Sequence, residues 1–281
     1  MTQVDLHLHT TFSDGRLTPL QLVELVGQRG LRVVAITDHD STEGLPQALE
    51  AARRFPHLTV IPGVELSTDI PGNEIHVLGY FLRYSDPGFQ RTLQEFRNGR
   101  VERAREMVSK LAELGVPVEW ERVLELADGG SVGRPHIAQA MVERGYIRLP
   151  QEAFVKYIGR NGLAYAERPK LTPADAVRMI RGVDGLPVLA HPREVENLES
   201  ILPELEAAGL VGMEVHYGNY TPSQVEALAA IAARDGLIPC GGSDYHALGT
   251  PGEVEPGHVG PPLETVERLN ALARQRANIS A

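Results

Sequence analysis

The sequence predicts an α/β fold: a barrel of about seven parallel strands with a helical segment inserted over one end. Three observations carry that expectation. Short apolar stretches rich in Val, Ile and Leu alternate with longer amphipathic segments, the pattern of strands alternating with helices. One central block breaks the alternation and reads as helix after helix. The 281 residues are 42% hydrophobic and 23% charged, an ordinary globular composition long enough for one large α/β domain or two smaller ones.

Strands are expected near 3–8, 32–37, 58–64, 75–81, 186–190, 211–216 and 237–242. Helices are expected near 18–29, 42–54, 173–182, 195–208, 221–234 and 262–276. Thr18-Pro19, Thr172-Pro173 and Thr221-Pro222 each read as an N-cap followed by Pro in the first helical position, where its missing N–H costs nothing. Residues 88–170 form the block of successive helices, with Gly129-Gly130 and Asn161-Gly162 as turn signals. The expected organisation is a barrel built from 1–87 and 171–281, with 88–170 as an inserted helical cap that contributes to substrate binding.

Charge and cysteine content exclude several classes. The single cysteine, Cys240, rules out a disulfide or a thiolate zinc site within the chain, so any metal must use His, Asp and Glu. A net charge of −10 argues against a broad grip on long nucleic acid, though not against a short nucleotide. The charge is uneven: residues 97–170 hold 13 Lys and Arg against 10 Asp and Glu, whereas the remainder holds 14 against 27. No run of about 18 apolar residues is present, and the N-terminus lacks a secretory pattern. The expectation is a cytoplasmic protein with no membrane contact and no stable protein partner.

The polar residues then fall in a pattern. In Asp5-Leu6-His7-Leu8-His9, side chains two apart share a face of a strand, so His7 and His9 point together while the leucines pack behind. Later strands carry or lead into Thr37-Asp38-His39-Asp40, Gly63-Val64-Glu65, Ile75-His76, Ala190-His191-Pro192, Glu214-Val215-His216 and Gly242-Ser243-Asp244-Tyr245-His246. Seven of the ten histidines sit in or just after an expected strand, positions that converge on one face of a parallel barrel. Imidazole with carboxylate and no thiolate suits manganese, zinc or iron, and so many ligands imply a multinuclear site. Phosphoryl transfer is the chemistry that uses such clusters best.

These stretches, in this order, resemble the polymerase and histidinol phosphatase (PHP) family of metal-dependent phosphoesterases. The nearest likeness is to its stand-alone members, which remove the 3′-phosphate from 3′,5′-bisphosphonucleotides or trim RNA from the 5′ end. The resemblance implies a distorted seven-stranded, TIM-like barrel holding two to three divalent ions, manganese foremost with zinc or iron as alternatives. It implies His7, His9, Glu65 and Asp244 around one ion. Glu65 then bridges to a second ion with His76 and His191, while Asp14, His39 and His246 hold a third. The implied reaction is hydrolysis of a phosphate monoester by a metal-bridging hydroxide, with Glu65 and Asp244 central to it. The implied substrate is a small phosphorylated molecule, a nucleotide or short oligoribonucleotide.

Weaker candidates remain. Asp38 and Asp40 are expected to orient imidazoles, or simply to form a turn. His216 either protonates the leaving alkoxide or lines the pocket. In the expected cap, Arg134 offers a planar fork to phosphate beside His136, and Lys156 and Arg160 are further substrate-binding candidates. The competing readings are a small-metabolite phosphatase such as histidinol phosphatase, a non-catalytic PHP module, and a metal-dependent amidohydrolase. A carboxylate in the substrate pocket would favour an amine-bearing metabolite; Arg or Lys would favour a second phosphate.

Overall fold

The computed structural model describes residues 2–70, 73–167, 171–250 and 252–280, the last four as backbone only. Its centre is one seven-stranded sheet in which strands neighbour one another in chain order: β1 (Val4–Asp5), β2 (Val33–Ile36), β3 (Thr59–Ile70), β4 (Asn73–Tyr80), β5 (Leu186–Leu189), β6 (Gly212–Tyr217) and β7 (Ile238–Gly242). The sheet curls until its ends meet. Leu6 N–H donates to Gly241 O, Asp244 N–H to His7 O, and His9 N–H to Tyr245 O, forming a seam between the first strand and the last. Gly242 permits this approach, because a Cβ there would lie 2.5 Å from the His7 nitrogen.

The expected all-parallel order needs one correction. β4 is antiparallel to both β3 and β5, whereas the other neighbours are parallel. β3 runs on to Ile70, six residues past its expected end, and β4 starts at Asn73. Parallel strands need a crossover of a dozen or more residues, so so short a connection enforces reversal. The reversal serves the site: His76, opposite Ser67 near the start of β4, comes to the barrel end where the other strands finish.

Helices α1 (Pro19–Gln28), α2 (Leu45–Ala52), α7 (Pro173–Gly182), α8 (Leu198–Ala208), α9 (Pro222–Arg234) and α10 (Leu263–Ser280) accompany the strands. The Thr-Pro starts form as expected, with Thr18, Thr172 and Thr221 side chains accepting from the backbone N–H of Gln21, Asp175 and Gln224. Between β4 and β5 lie α3 (Pro87–Glu113), α4 (Trp120–Ala127), α5 (Arg134–Glu143), the short α6 (Pro150–Ala153) and a π turn over Phe154–Ile158. α3 joins two cores. Phe89 and Leu93 pack with the barrel strands, whereas Ala104, Met107 and Leu111 pack with Val123, Ile137 and Met141 of the helical segment. Among the described residues, no helix is long and apolar enough to cross a membrane.

Candidate metal centre

The strand ends bring six imidazoles to one place, together with Glu65, Asp14 and Asp244. β1 is followed by His7 and His9, β2 by His39, β5 by His191 and β7 by Asp244 and His246, while β3 and β4 supply Glu65 and His76 from within the strand. His191 (φ 27°) and Asp244 (φ 54°) hold left-handed backbone, which non-glycine residues adopt at some cost and which is concentrated at functional sites.

Glu65 is the hub. It is almost wholly buried, its Oε1 lies 2.8 Å from His76 Nδ1 and 3.2 Å from His191 Nε2, and its Oε2 lies 3.2 Å from each of His7 Nε2, His9 Nε2 and His39 Nδ1. Asp244 Oδ1 is 3.2 Å from His7 Nε2 and 3.0 Å from His9 Nε2, and its Oδ2 accepts from Tyr217 Oη at 2.7 Å. Asp14 faces His246 Nε2 at 3.3 Å, His9 Nδ1 at 3.7 Å and His39 Nε2 at 3.8 Å.

Among the described residues, three groups have ligand atoms close enough to share one ion: His7, His9, Glu65 and Asp244; His9, Asp14, His39 and His246; and His39, Glu65 and His76. His191 adjoins the third, with its Nε2 3.2 Å from His76 Nδ1. The donor set fits divalent cations. Five imidazole nitrogens converge on one carboxylate, which offers about four acceptor sites. His9 Nε2 and Asp14 Oδ1 are buried without a hydrogen-bond partner, as expected of atoms that turn to a cation.

The electrostatics point the same way. Burial opposes ionisation of Glu65, but His39, His7 and His76 override it and hold the carboxyl well below its usual range. For Asp244, burial is likewise overridden by His7 and His246. Burial opposes charge on His246, yet Asp14 and Asp244 raise it to about 10; His191, opposed by burial but bonded to Glu65, rises to about 9. His39 is pushed down to about 3 by burial, which outweighs Glu65 and Asp14. At pH 7.5, therefore, His191 and His246 are expected to hold a proton before metal binds, and His39 to be neutral. Ligation needs neutral imidazole, so loading stripped protein should release roughly two or more protons per chain. A weakly buffered titration with an indicator dye would read this; release of none would contradict it.

The structure also places the weaker candidates. Asp38 bonds no imidazole: it accepts from Thr10 N–H, Thr10 Oγ1 and Ser13 Oγ, shaping the loop that carries Asp14. Asp40 instead accepts from Ser67 N–H and Arg100 Nε. His216 stands half-exposed outside the three groups, its pKa lowered by burial. Glu214, two residues earlier, is the buried one. A bulge between Glu214 and His216 breaks the two-residue alternation that would place both on one face. Glu214 Oε1 lies 3.1 Å from His7 Nδ1, and its Oε2 accepts the His191 backbone N–H at 2.7 Å. It thus orients two candidate ligands. Glu214→Gln should weaken metal affinity about 10–100-fold, measured by competition with a chelator dye, and unchanged affinity would remove it from this role.

Beside the centre lies a cavity of about 190 Å³ lined by Arg100, Arg103, Arg134, Glu74, His76 and His39 among others. Arg100, Arg103 and Glu74 carried no signal on their own in sequence, being ordinary charges on a long helix and a strand start. Arg134 opens α5 into this cavity. His136 faces a second cavity of about 410 Å³, shared with Asp14 and His246, and its Nδ1 accepts the Gly133 N–H. Lys156 and Arg160 line neither: Lys156 pairs with Glu152 at the surface, and Arg160 pairs with Asp69.

Known proteins resemble this chain. The PHP domain family matches residues 5–129. The 3′,5′-nucleoside bisphosphate phosphatase of Chromobacterium violaceum is 32% identical over 92% of both chains. The 5′-3′ exoribonuclease Rnm of Salmonella typhimurium is 36% identical over 86% of this chain and 84% of its own. A Bifidobacterium adolescentis structure, named as a candidate metal-dependent phosphoesterase, superposes with a TM-score of 0.87 at 31% identity, covering 96% of each chain. With a barrel whose strand ends gather His, Asp and Glu, and relatives matching along nearly its whole length, the chain belongs to the PHP family and is a metal-dependent hydrolase of phosphoric esters.

Proposed function

We propose that this protein removes the 3′-phosphate from 3′,5′-bisphosphonucleotides, with short RNA 5′ ends as further substrates. One observation carries the reading: an arginine-lined cavity adjoins the metal centre, so two anions can be held side by side. The names of the Chromobacterium and Salmonella relatives support the nucleotide class. In this reading the helical segment 88–170 acts as a cap that brings Arg100, Arg103 and Arg134 over the barrel mouth.

His7, His9, Glu65 and Asp244 would hold one ion, and Asp14, His39 and His246, with His9 alongside, a second. Glu65, His76 and His191 would complete a third, with manganese the proposed metal. Such ions, when bound, would supply hydroxide near neutral pH and neutralise phosphate oxygens. The chain's own groups position everything else. Tyr217 fixes Asp244 through Oδ2, which keeps Oδ1 turned to His7 and His9. Arg100 is held by Asp40 and Ser67, so its charge is presented to the cavity without a search through rotamers. Arg134 is placed by the α5 start and by the Phe154 ring, 5.4 Å away.

Glu74 keeps the metabolite-phosphatase reading in view, since it is a carboxylate in the pocket. Arg134 already engages it, at 2.9 and 2.8 Å, so it is no ready partner for an amine. A non-catalytic module would not need the complete ligand set. The deciding experiment presents manganese-loaded protein with 3′,5′-bisphosphoadenosine, histidinol phosphate and a short 5′-phosphorylated RNA. The highest kcat/KM is expected for the bisphosphonucleotide and should vanish with chelator; preference for histidinol phosphate would overturn the proposal.

A further inference from the structure

Glu74 occupies the arginine cavity as an anion would. Arg134 Nη2 donates to both of its carboxylate oxygens, and Arg103 Nη1 lies 3.9 Å from Oε1. The Arg134 contact uses a single guanidinium nitrogen, not the two-nitrogen fork that makes Arg–carboxylate pairs strongest. Both arginines are also held by other groups. Arg103 Nε donates to Ala166 O and its guanidinium lies 5.2 Å from the Tyr165 ring, while Arg134 lies over Phe154. They would keep their places if Glu74 swung away. Glu74 is partly exposed at the start of β4 and belongs to none of the three ligand groups.

We propose that Glu74 is a specificity-determining gate: its carboxylate neutralises Arg134 in the free enzyme and gives way only to a dianionic second phosphate. Small anions that are not also anchored at the metal centre, sulfate among them, compete poorly with the Glu74 carboxylate, and a nucleoside monophosphate product, no longer so anchored, is displaced when Glu74 returns to Arg134. The inference rests on the second-phosphate reading of the cavity. It differs in sign from ordinary substrate contacts, because removing this charge should tighten binding.

The test compares Glu74→Gln, Arg134→Ala and the double variant, all manganese-loaded and checked for metal content. Readouts are KM and kcat for 3′,5′-bisphosphoadenosine, inhibition by adenosine 5′-monophosphate and by sulfate, calorimetric binding of adenosine 5′-monophosphate, and KM for p-nitrophenyl phosphate. Glu74→Gln should lower the bisphosphonucleotide KM and both inhibition constants about tenfold, with kcat unchanged or reduced and the p-nitrophenyl phosphate KM unmoved. The gain should disappear in the double variant. If Arg134→Ala weakens binding but Glu74→Gln does not tighten it, the gate is wrong and the second-phosphate site stands. If neither variant moves binding, the second-phosphate reading itself fails. Equal tightening of p-nitrophenyl phosphate, or metal loss in both Glu74→Gln and a second variant, Glu74→Ser, would make Glu74 a support of the metal centre and overturn the gate.

Discussion

Glu65→Gln should lower kcat/KM about a thousandfold, with a parallel fall in bound divalent metal. Glutamine keeps the volume of the buried side chain but removes its charge and turns an amide toward imidazoles that surround Glu65 at 2.8–3.2 Å. Bound metal ions contribute several kcal/mol of charge stabilisation to phosphoryl transfer, and losing about 4 kcal/mol of it with the ions that Glu65 would share corresponds to that loss of rate. His216→Ala, by contrast, should stay within about threefold, because His216 belongs to none of the ligand groups found among the described residues. Metal analysis by mass spectrometry beside steady-state kinetics checks both. Retention of full metal and rate in Glu65→Gln would dismantle the assignment of the centre.

Arg134→Ala should cut kcat/KM for a 3′,5′-bisphosphonucleotide by about ten- to a hundredfold. That range follows from losing a charge-assisted contact of about 1.5–3 kcal/mol. A simple monophosphate ester, which needs only the metal centre, should suffer much less. Arg134→Lys should fall between, since lysine keeps the charge but neither the planar fork nor the stacking on Phe154. Equal losses on both substrates would place Arg134 in support of the fold, and the metabolite phosphatase would regain equal footing.

Much of the barrel and its mouth was legible from residue types alone. A buried strand must be apolar, so Val33–Ile36 and Leu186–Leu189 announce themselves, and polar residues at such strand ends stand out against that background. Strand direction was not legible in the same way. His76 sits at the start of its strand, which in an all-parallel barrel is the wrong end; the β3 extension through Leu66–Ile70 is needed to see the reversal. Glu214 stayed hidden because the bulge beside it leaves no mark in an alternating pattern. Arg100, Arg103 and Glu74 were hidden for another reason. Their meeting is a tertiary event between α3 and β4, and a charge on a helix is usually solvated whatever its later partner.

The seam between the first and last strands has a consequence for how the enzyme fails. β1 pairs with β2 through only two residues, and on its other side the bonds from Leu6, His9 and Asp244 join segments more than two hundred residues apart. Contacts so distant in sequence form late in folding and are a natural place for local opening. Opening there carries off His7 and His9 as a pair and separates them from Asp244 and His246. Loss of function on heating or in mild denaturant would then precede collapse of the barrel: a still-folded protein would spill its ions through a parted edge, and retained metal would act as the clasp that keeps head and tail of the polypeptide together.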